Sequence, residues 1–397
     1  MIALRMTLVC CLMFGIAPAL LAAEPDAAAP NMLTPDEIAD GWILLFDGET
    51  KFGWQATSDA DWTVSDGVLS VSQGAKGLLC TTSDFADYVL KVDFRAPAAT
   101  NSGVFLRTPL EPTNPAVDCY ELNIAAPDVS PFATGSLVAR QKATGTVEPG
   151  RWHTFTVKAV GGRFTVAIDG QQVLDYFDEK PLPRGRIGLQ FNSGQVEFRN
   201  VKLKPLGLES MFNGRDLTGW EEFPDKPSKF SVTPEATIRV QIGPGQLEWQ
   251  GQVADFVLQL DILSSGKHLN SGIFFRCIPG EFWQGYESQI QNGYRDGNRA
   301  DPIDCGTGGF YRRQNARKVV SDDFEWFTKT LVVSGDHMAT WINGYQVSDW
   351  TDTRAPNENP RQGLRLQGGT ISIQGHDPTT DLSFRKLRIA EIPPPQP

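Results

Sequence analysis

Histidine is scarce in this chain, with four residues in 397, and none of them is spaced to form a metal-binding pair. Neither Cys-x-x-Cys nor His-Glu-x-x-His occurs, which removes the common zinc motifs. A Gly-x-Ser-x-Gly elbow and a phosphate-cradling glycine loop are also missing, so serine-hydrolase and nucleotide chemistry have no foothold. No run of lysine and arginine interrupts the net charge of −11. That argues against nucleic acid or an anionic membrane surface as partner, because either needs concentrated positive charge. Helical periodicity is nearly absent as well. Only Thr34–Ala39 reads as a helix, with Thr34 as N-cap before Pro35.

Long apolar runs are confined to the start, MIALRMTLVCCLMFGIAPALLAA. One Arg, a short apolar stretch broken by Gly15 and Pro18, and small residues near Ala23 predict a signal peptide over residues 1–23. The run is too short and interrupted for a membrane anchor. Cys10 and Cys11 lack the small residue that precedes a lipidated cysteine. The mature protein is therefore expected to be exported, to the periplasm or outside the cell, without membrane insertion. Export alters the meaning of the remaining cysteines, Cys80, Cys119, Cys277 and Cys305. In an oxidising compartment one bridge within each half, Cys80–Cys119 and Cys277–Cys305, is the simplest of three pairings. Four separate buried thiols are the alternative.

What is present is a repeat. Residues 101–107, Asn-Ser-Gly-Val-Phe-Leu-Arg, return as Asn-Ser-Gly-Ile-Phe-Phe-Arg at 270–276. Leu-Phe-Asp-Gly…Gly-Trp at 45–54 returns as Met-Phe-Asn-Gly…Gly-Trp at 211–220. Tyr120-Glu121 matches Tyr286-Glu287, and Ile168-Asp169-Gly170 matches Ile342-Asn343-Gly344. Each unit closes on Phe-Arg, at Phe198-Arg199 and Phe384-Arg385. Two units of this length are a tandem duplication. The boundaries predicted are a lead-in at 24–40, domains at 41–206 and 207–391, and a disordered tail at 392–397. Period-two segments such as Tyr88–Phe94 and Phe256–Ile262, with an Asp-Gly turn after Phe164–Ile168, predict an antiparallel sandwich in each half.

This motif order resembles the 3-keto-disaccharide hydrolase domain family, and the resemblance spans both copies. It implies an all-β architecture, two concanavalin-A-like jelly-roll β-sandwich domains in tandem. It also implies a small-molecule saccharide substrate whose C3 hydroxyl has been oxidised to a ketone. The ketone acidifies the C2 proton; a base removes it, charge develops on the C3 oxygen, and the C1 substituent leaves. Water then adds, so the net result is glycoside cleavage. Such a route needs a base, a cation or donor array, and an acid. A tandem carbohydrate-binding protein without chemistry, or a scaffold, could use the same fold.

Family members carry Gln-x-His-Gly before the closing Phe-Arg. The second unit has Gln374-Gly375-His376-Asp377 there, whereas the first has Gln190-Phe191-Asn192-Ser193. Activity is therefore expected in the second unit, with His376 in proton transfer, Glu287 as second acid/base and Arg276 stabilising charge on the C3 oxygen. Alternation places Gly272, Phe274 and Arg276 on one strand face, and Glu287, Gln289 and Gln291 on a neighbouring one. Tyr286, Gln289, Asn270, Arg312, Trp283 and Asp377 are the expected substrate contacts, and Arg107, Glu121 and Asn101 the first-domain equivalents. No cofactor is certain. A divalent ion held by Asp377, Glu287 and His376 remains open, as does oligomeric state.

Overall fold

The computed structural model describes residues 29–395. The expected signal peptide lies outside the described residues. The lead-in forms the helix Pro35–Ala39, closed by a capping box in which Glu37 N donates to Thr34 Oγ1 (3.2 Å) and Thr34 N to Glu37 Oε2 (3.1 Å).

Each half is a sandwich of an eight-stranded and a five-stranded antiparallel sheet. In the second half the five-stranded sheet runs Trp220–Glu222, Gly245–Trp249, Thr370–Gly375, Ser271–Cys277, Tyr286–Ile290. The first half repeats that order with Trp54–Ala56, Gly77–Thr81, Arg186–Phe191, Asn101–Thr108 and Tyr120–Ala125. Two tandem jelly-roll domains are thus the architecture.

Alternation fails where a sheet is covered twice. Tyr88–Arg95 alternates buried with half-buried positions, but its counterpart Phe256–Ser264 is buried almost throughout. The reason is that the first domain packs on the outer face of the second domain's eight-stranded sheet. Val257, Val332, Ala339 and Trp341 join the first domain's apolar core. Trp341 Nε1 donates to Leu44 O (2.8 Å), and Gln259 Nε2 to Gly41 O (2.8 Å). Arg317 pairs with Asp47 (2.8 Å) between the rings of Phe52 and Tyr345. Because this interface takes the eight-stranded side, the second domain's five-stranded sheet looks away from it. The expected disordered tail is corrected at its first residue: Ile392 is buried in the interface, and its N–H donates to Asp255 O (2.9 Å).

The expected disulfides are also corrected, since all four described cysteines are free and buried. Cys80 and Cys119 share a small apolar cluster with Leu78 and Phe105. Their thiols nevertheless turn to separate carbonyls, Leu110 O (4.0 Å) and Pro115 O (3.4 Å). Cys277 contacts Ser372 Oγ (3.7 Å), while Cys305 donates to Gln314 O (3.1 Å) in a different loop. Burial pushes each thiol up to about 12, so none is poised to react. Thiol titration of the protein, prepared without reductant, should detect none of these four when native and all four in denaturant. A bridged pair would halve the second number.

Candidate functional site

The repeated Arg of the Asn-Ser-Gly motif does not reach the sheet face that alternation assigned to it. Phe274 pairs with Ser372 and Cys277 with Thr370, so Phe275 and Arg276 together oppose Ile371 alone. That extra residue is a β-bulge, and Arg276 sits in it at φ +46°. Arg107 occupies the matching bulge at φ +49°. A backbone this close to its neighbour tolerates only glycine opposite: a Cβ on Gly369 would lie 2.6 Å from the Arg276 carbonyl carbon, and one on Gly185 2.3 Å from that of Arg107.

The bulge turns each guanidinium into the protein. Arg276 is 0% exposed and donates to Ala254 O, Arg365 O and Asp255 Oδ1, all at 2.8 Å. Arg107 makes the equivalent bonds to Ala86 O, Leu182 O and Asp87, and adds Gly161 O. Arg276 is therefore a strut, with no donor directed at the sheet face. Tyr286 is corrected likewise. It faces the core, where its hydroxyl donates to Asp352 (2.7 Å) and accepts from Arg365 N (2.9 Å). Arg312 is exposed and lies over the Tyr311 ring; Arg313, which bonds Arg361 O (2.7 Å), is the inward member of that pair.

The remaining expected residues do converge. Glu287 and Gln289 project from Tyr286–Ile290 onto the outer face beside Phe274 and Gly272. Gln289 Nε2 donates to Asn270 Oδ1 (3.2 Å) and Asp304 Oδ2 (2.9 Å), and Asn270 also donates to Asp304 (2.6 Å). Trp283 stacks on Phe274 (6.4 Å) and, nearly parallel at 6°, on His376 (6.1 Å). His376 is about one-third exposed, and its Nδ1 is 2.9 Å from Asp377 Oδ2. Burial favours the neutral acid of Asp377, but hydrogen bonds from Thr379 and His376 outweigh it and hold the carboxyl below its usual range.

Glu287 is 6% exposed, and burial pushes its carboxyl above the ordinary value while Arg361 pulls it back. Arg361 was not foreseen. Its Nη2 donates to Glu287 Oε2 (2.9 Å), its Nε to Trp283 O (3.1 Å), and its guanidinium lies 4.9 Å over Phe274. It arrives on an insertion. In the first domain Tyr120 binds Asp178 and Leu182, whereas in the second Tyr286 binds Asp352 and Arg365, much farther apart in sequence. Comparing those two loop lengths in the repeat would have exposed the extra segment.

Strand register aligns the two sheet faces residue by residue. Phe105 and Glu121 keep their character as Phe274 and Glu287. Leu78, Cys80 and Gly188, however, become Gln246, Glu248 and Ser372. The first face is thus apolar at those three positions and closed over by Leu110, and it keeps Glu121 beside Gln190, whose side-chain oxygen is buried without a partner. The second is polar, and the side-chain oxygens of Gln289 and Gln374 are buried on it without partners. Under this face a second exchange appears. Phe155 is replaced by Lys329, whose Nζ donates to Ser288 O, Ser288 Oγ and Gln289 O at 2.9–3.0 Å. Burial brings this lysine down to about 7. Among the described residues no group of three or more His, Cys, Asp or Glu is arranged to hold a metal ion. Glu287 is taken by Arg361, and His376 and Asp377 by each other. A cavity beside Phe94 and His153 in the first domain is lined mainly by alanine, proline and threonine.

The model of the family described as "3-keto-alpha-glucoside-1,2-lyase-like domain" matches residues 41–204 and again residues 207–390. A protein of Parabacteroides distasonis ATCC 8503, described as a candidate glycosyl hydrolase, is 24% identical over 45% of this chain and 100% of its own, with a TM-score of 0.41. The carbohydrate binding module CBM66 from Bacillus subtilis is 15% identical over 38% of this chain and 95% of its own (TM-score 0.32). No curated protein sequence matches significantly.

Two measurements test these assignments. Arg276→Ala and Arg107→Ala should each lower unfolding free energy by about 3–5 kcal/mol, since each removes a fully buried side chain together with the donor that the surrounding carbonyls and carboxylate share. If Arg276→Ala were fully stable and only inactive, its role as a strut would be wrong. Lys329 provides the second. The folded state resists its charge, so between about 7 and the ordinary 10.5 the unfolded chain binds more protons and stability rises with pH. The melting temperature of wild type relative to Lys329→Met should therefore climb from pH 7 to pH 10; a flat difference would contradict the burial.

Proposed function

The chain belongs to the 3-keto-α-glucoside-1,2-lyase-like domain family, and on that premise we propose that its second domain cleaves 3-keto-glycosides by elimination and hydration. The observation that carries this reading is the one-sided conversion of a shared sheet face: Gln246, Glu248, Ser372 and His376 stand where the first unit has Leu78, Cys80, Gly188 and Asn192. Glu287 is the base for the C2 proton. Its raised affinity for protons brings it closer to working near neutrality than an exposed carboxylate. Arg361 lies against Glu287 and supplies the positive charge that the C3 oxygen needs as it becomes anionic, the role expected of Arg276. His376, at the rim and steadied by Asp377, donates to the departing glycosidic oxygen and later handles the proton of the added water. Trp283, half-buried beside His376, offers aromatic surface to the sugar. The first domain serves as a structural partner, and the apolar leader directs the protein to the periplasm or the medium.

A saccharide-binding role without turnover is the second reading, favoured by the parallel Trp283–His376 platform. Purified protein incubated with 3-keto-trehalose or a chromogenic 3-keto-glucoside separates the two. Glu287→Gln and His376→Ala should each lower kcat about 10²–10⁴-fold while Glu121→Gln, in the first domain, leaves it within about twofold. Sugar binding with no turnover in wild type would leave only the second reading standing.

A further inference from the structure

Lys329 lies beneath the site, on the core side of its sheet, and is 0% exposed. Each of its three ammonium protons has an acceptor, and all three acceptors sit on one strand of the opposite sheet: Ser288 O (3.0 Å), Ser288 Oγ (3.0 Å) and Gln289 O (2.9 Å). The two carbonyls belong to the peptide groups on either side of the Gln289 Cα. Holding both planes from one point fixes φ and ψ at that residue. The strand does not need the lysine to close its ladder. Along one edge it pairs with Ser271–Cys277, and along the other Gln289 N donates to Gly309 O (2.8 Å) and Tyr311 N to Glu287 O (3.0 Å). Nor does the core need it, since the first domain fills the same register position with Phe155, and a desolvated amine costs stability that a phenyl ring does not.

We propose that Lys329 is a positioning residue of the site: from the core side it clamps the main chain at Ser288 and Gln289, and so sets the directions in which Glu287 and Gln289 leave the strand toward the substrate. The proposal rests on the reading of the outer face as a 3-keto-glycoside site. Gln289 is held directly, with its amide on Asn270 and Asp304. Glu287 is held through the next peptide group, with its Oε2 already on Arg361. The clamp also carries charge. Glu287 is the carboxylate that favours the ammonium, and the Cys305 thiol is the other titratable group facing it. Glu287 in turn faces Arg361, His376 and Asp304. A cation under the strand therefore helps to keep the Glu287 carboxylate ionised, in the state that accepts the C2 proton.

The experiment compares wild type with Lys329→Met and with Lys329→Phe, which restores the first domain's residue, on a chromogenic 3-keto-glucoside. At pH 7 each variant should melt no lower than wild type, yet kcat should fall about 10²-fold while KM stays within about threefold. The acidic limb of kcat/KM should also move up by about one pH unit, because Glu287 has lost a neighbouring cation. An unchanged kcat, a loss carried by KM alone, or a fall in activity that only follows a lower melting temperature would overturn the proposal. A second arm does not need turnover. Amide hydrogen exchange in Tyr286–Ile290 should quicken about tenfold in Lys329→Met, while Trp220–Glu222 at the far edge of the same sheet is unchanged. Equal exchange in wild type and variant refutes the clamp even where the keto-sugar chemistry holds. Exchange that quickens in this strand, in a protein that turns over no keto-glycoside, keeps the clamp and refutes the chemistry it was assigned to serve.

Discussion

One buried guanidinium ties together the parts of the second domain. Arg276 joins the strand that bulges around it to the carbonyl of Arg365, where the long loop carrying Arg361 returns to the sheet. It also holds Asp255, whose other oxygen meets Arg184 of the first domain at 2.5 Å. Strand, loop and domain interface thus share one charge pair that water barely reaches. A cation so placed is satisfied only if every carbonyl around it keeps its position, which makes the surrounding backbone cooperative. The same device in the first domain, built on Arg107 and Asp87, holds a shorter loop and no added charge. The repeated motif is therefore a construction element that fixes where the loops leave the sheet. What the loops bring is a separate matter.

The two units differ in the direction expected of one working and one supporting copy. Sheet order, bulge, buried arginine and the Tyr–Asp bond are common to both. The first unit fills its outer sheet face with Leu78, Cys80 and Phe105. The second places amides and carboxylates there, brings Arg361 across on an insertion, and props the strand of Glu287 from below with Lys329. None of these changes improves packing, and a lysine in a sandwich core works against it. Such residues cluster within one sheet and its immediate support, where a polar ligand would explain them.

Much of the fold was legible because period-two alternation has a direct physical origin in the pleat. Tyr88–Arg95 and Phe164–Ile168 are strands as read, and Thr34 caps its helix with Glu37 as partner. Glu287, Gln289, Asn270, Trp283, His376 and Asp377 do gather at one face. Alternation misled at Arg276 because a bulge adds one residue and resets the phase, something no local pattern announces. Tyr286 was misplaced for a related reason: a tyrosine beside a polar stripe looks like part of it, although its neighbour on the strand faces the opposite way. The cysteine pairing rested on compartment and parity, and neither reports how far apart two sulfurs lie. Arg361 escaped attention because loop residues carry no periodic signal, and its partner Glu287 is 74 positions away.

The exchange of Phe155 for Lys329 has a further consequence for how this protein could have arisen. In a single-copy ancestor a charged amine in the core would subtract stability from the only core available, limiting which polar substitutions were survivable. Duplication removes that limit when the copies are fused through a shared hydrophobic surface, as they are through Val257, Val332, Ala339 and Trp341. The copy that kept its apolar interior acts as a stability reserve for its neighbour, and mutations too disruptive for a lone domain become neutral in the pair. Retention of the first unit then needs no activity of its own to explain it.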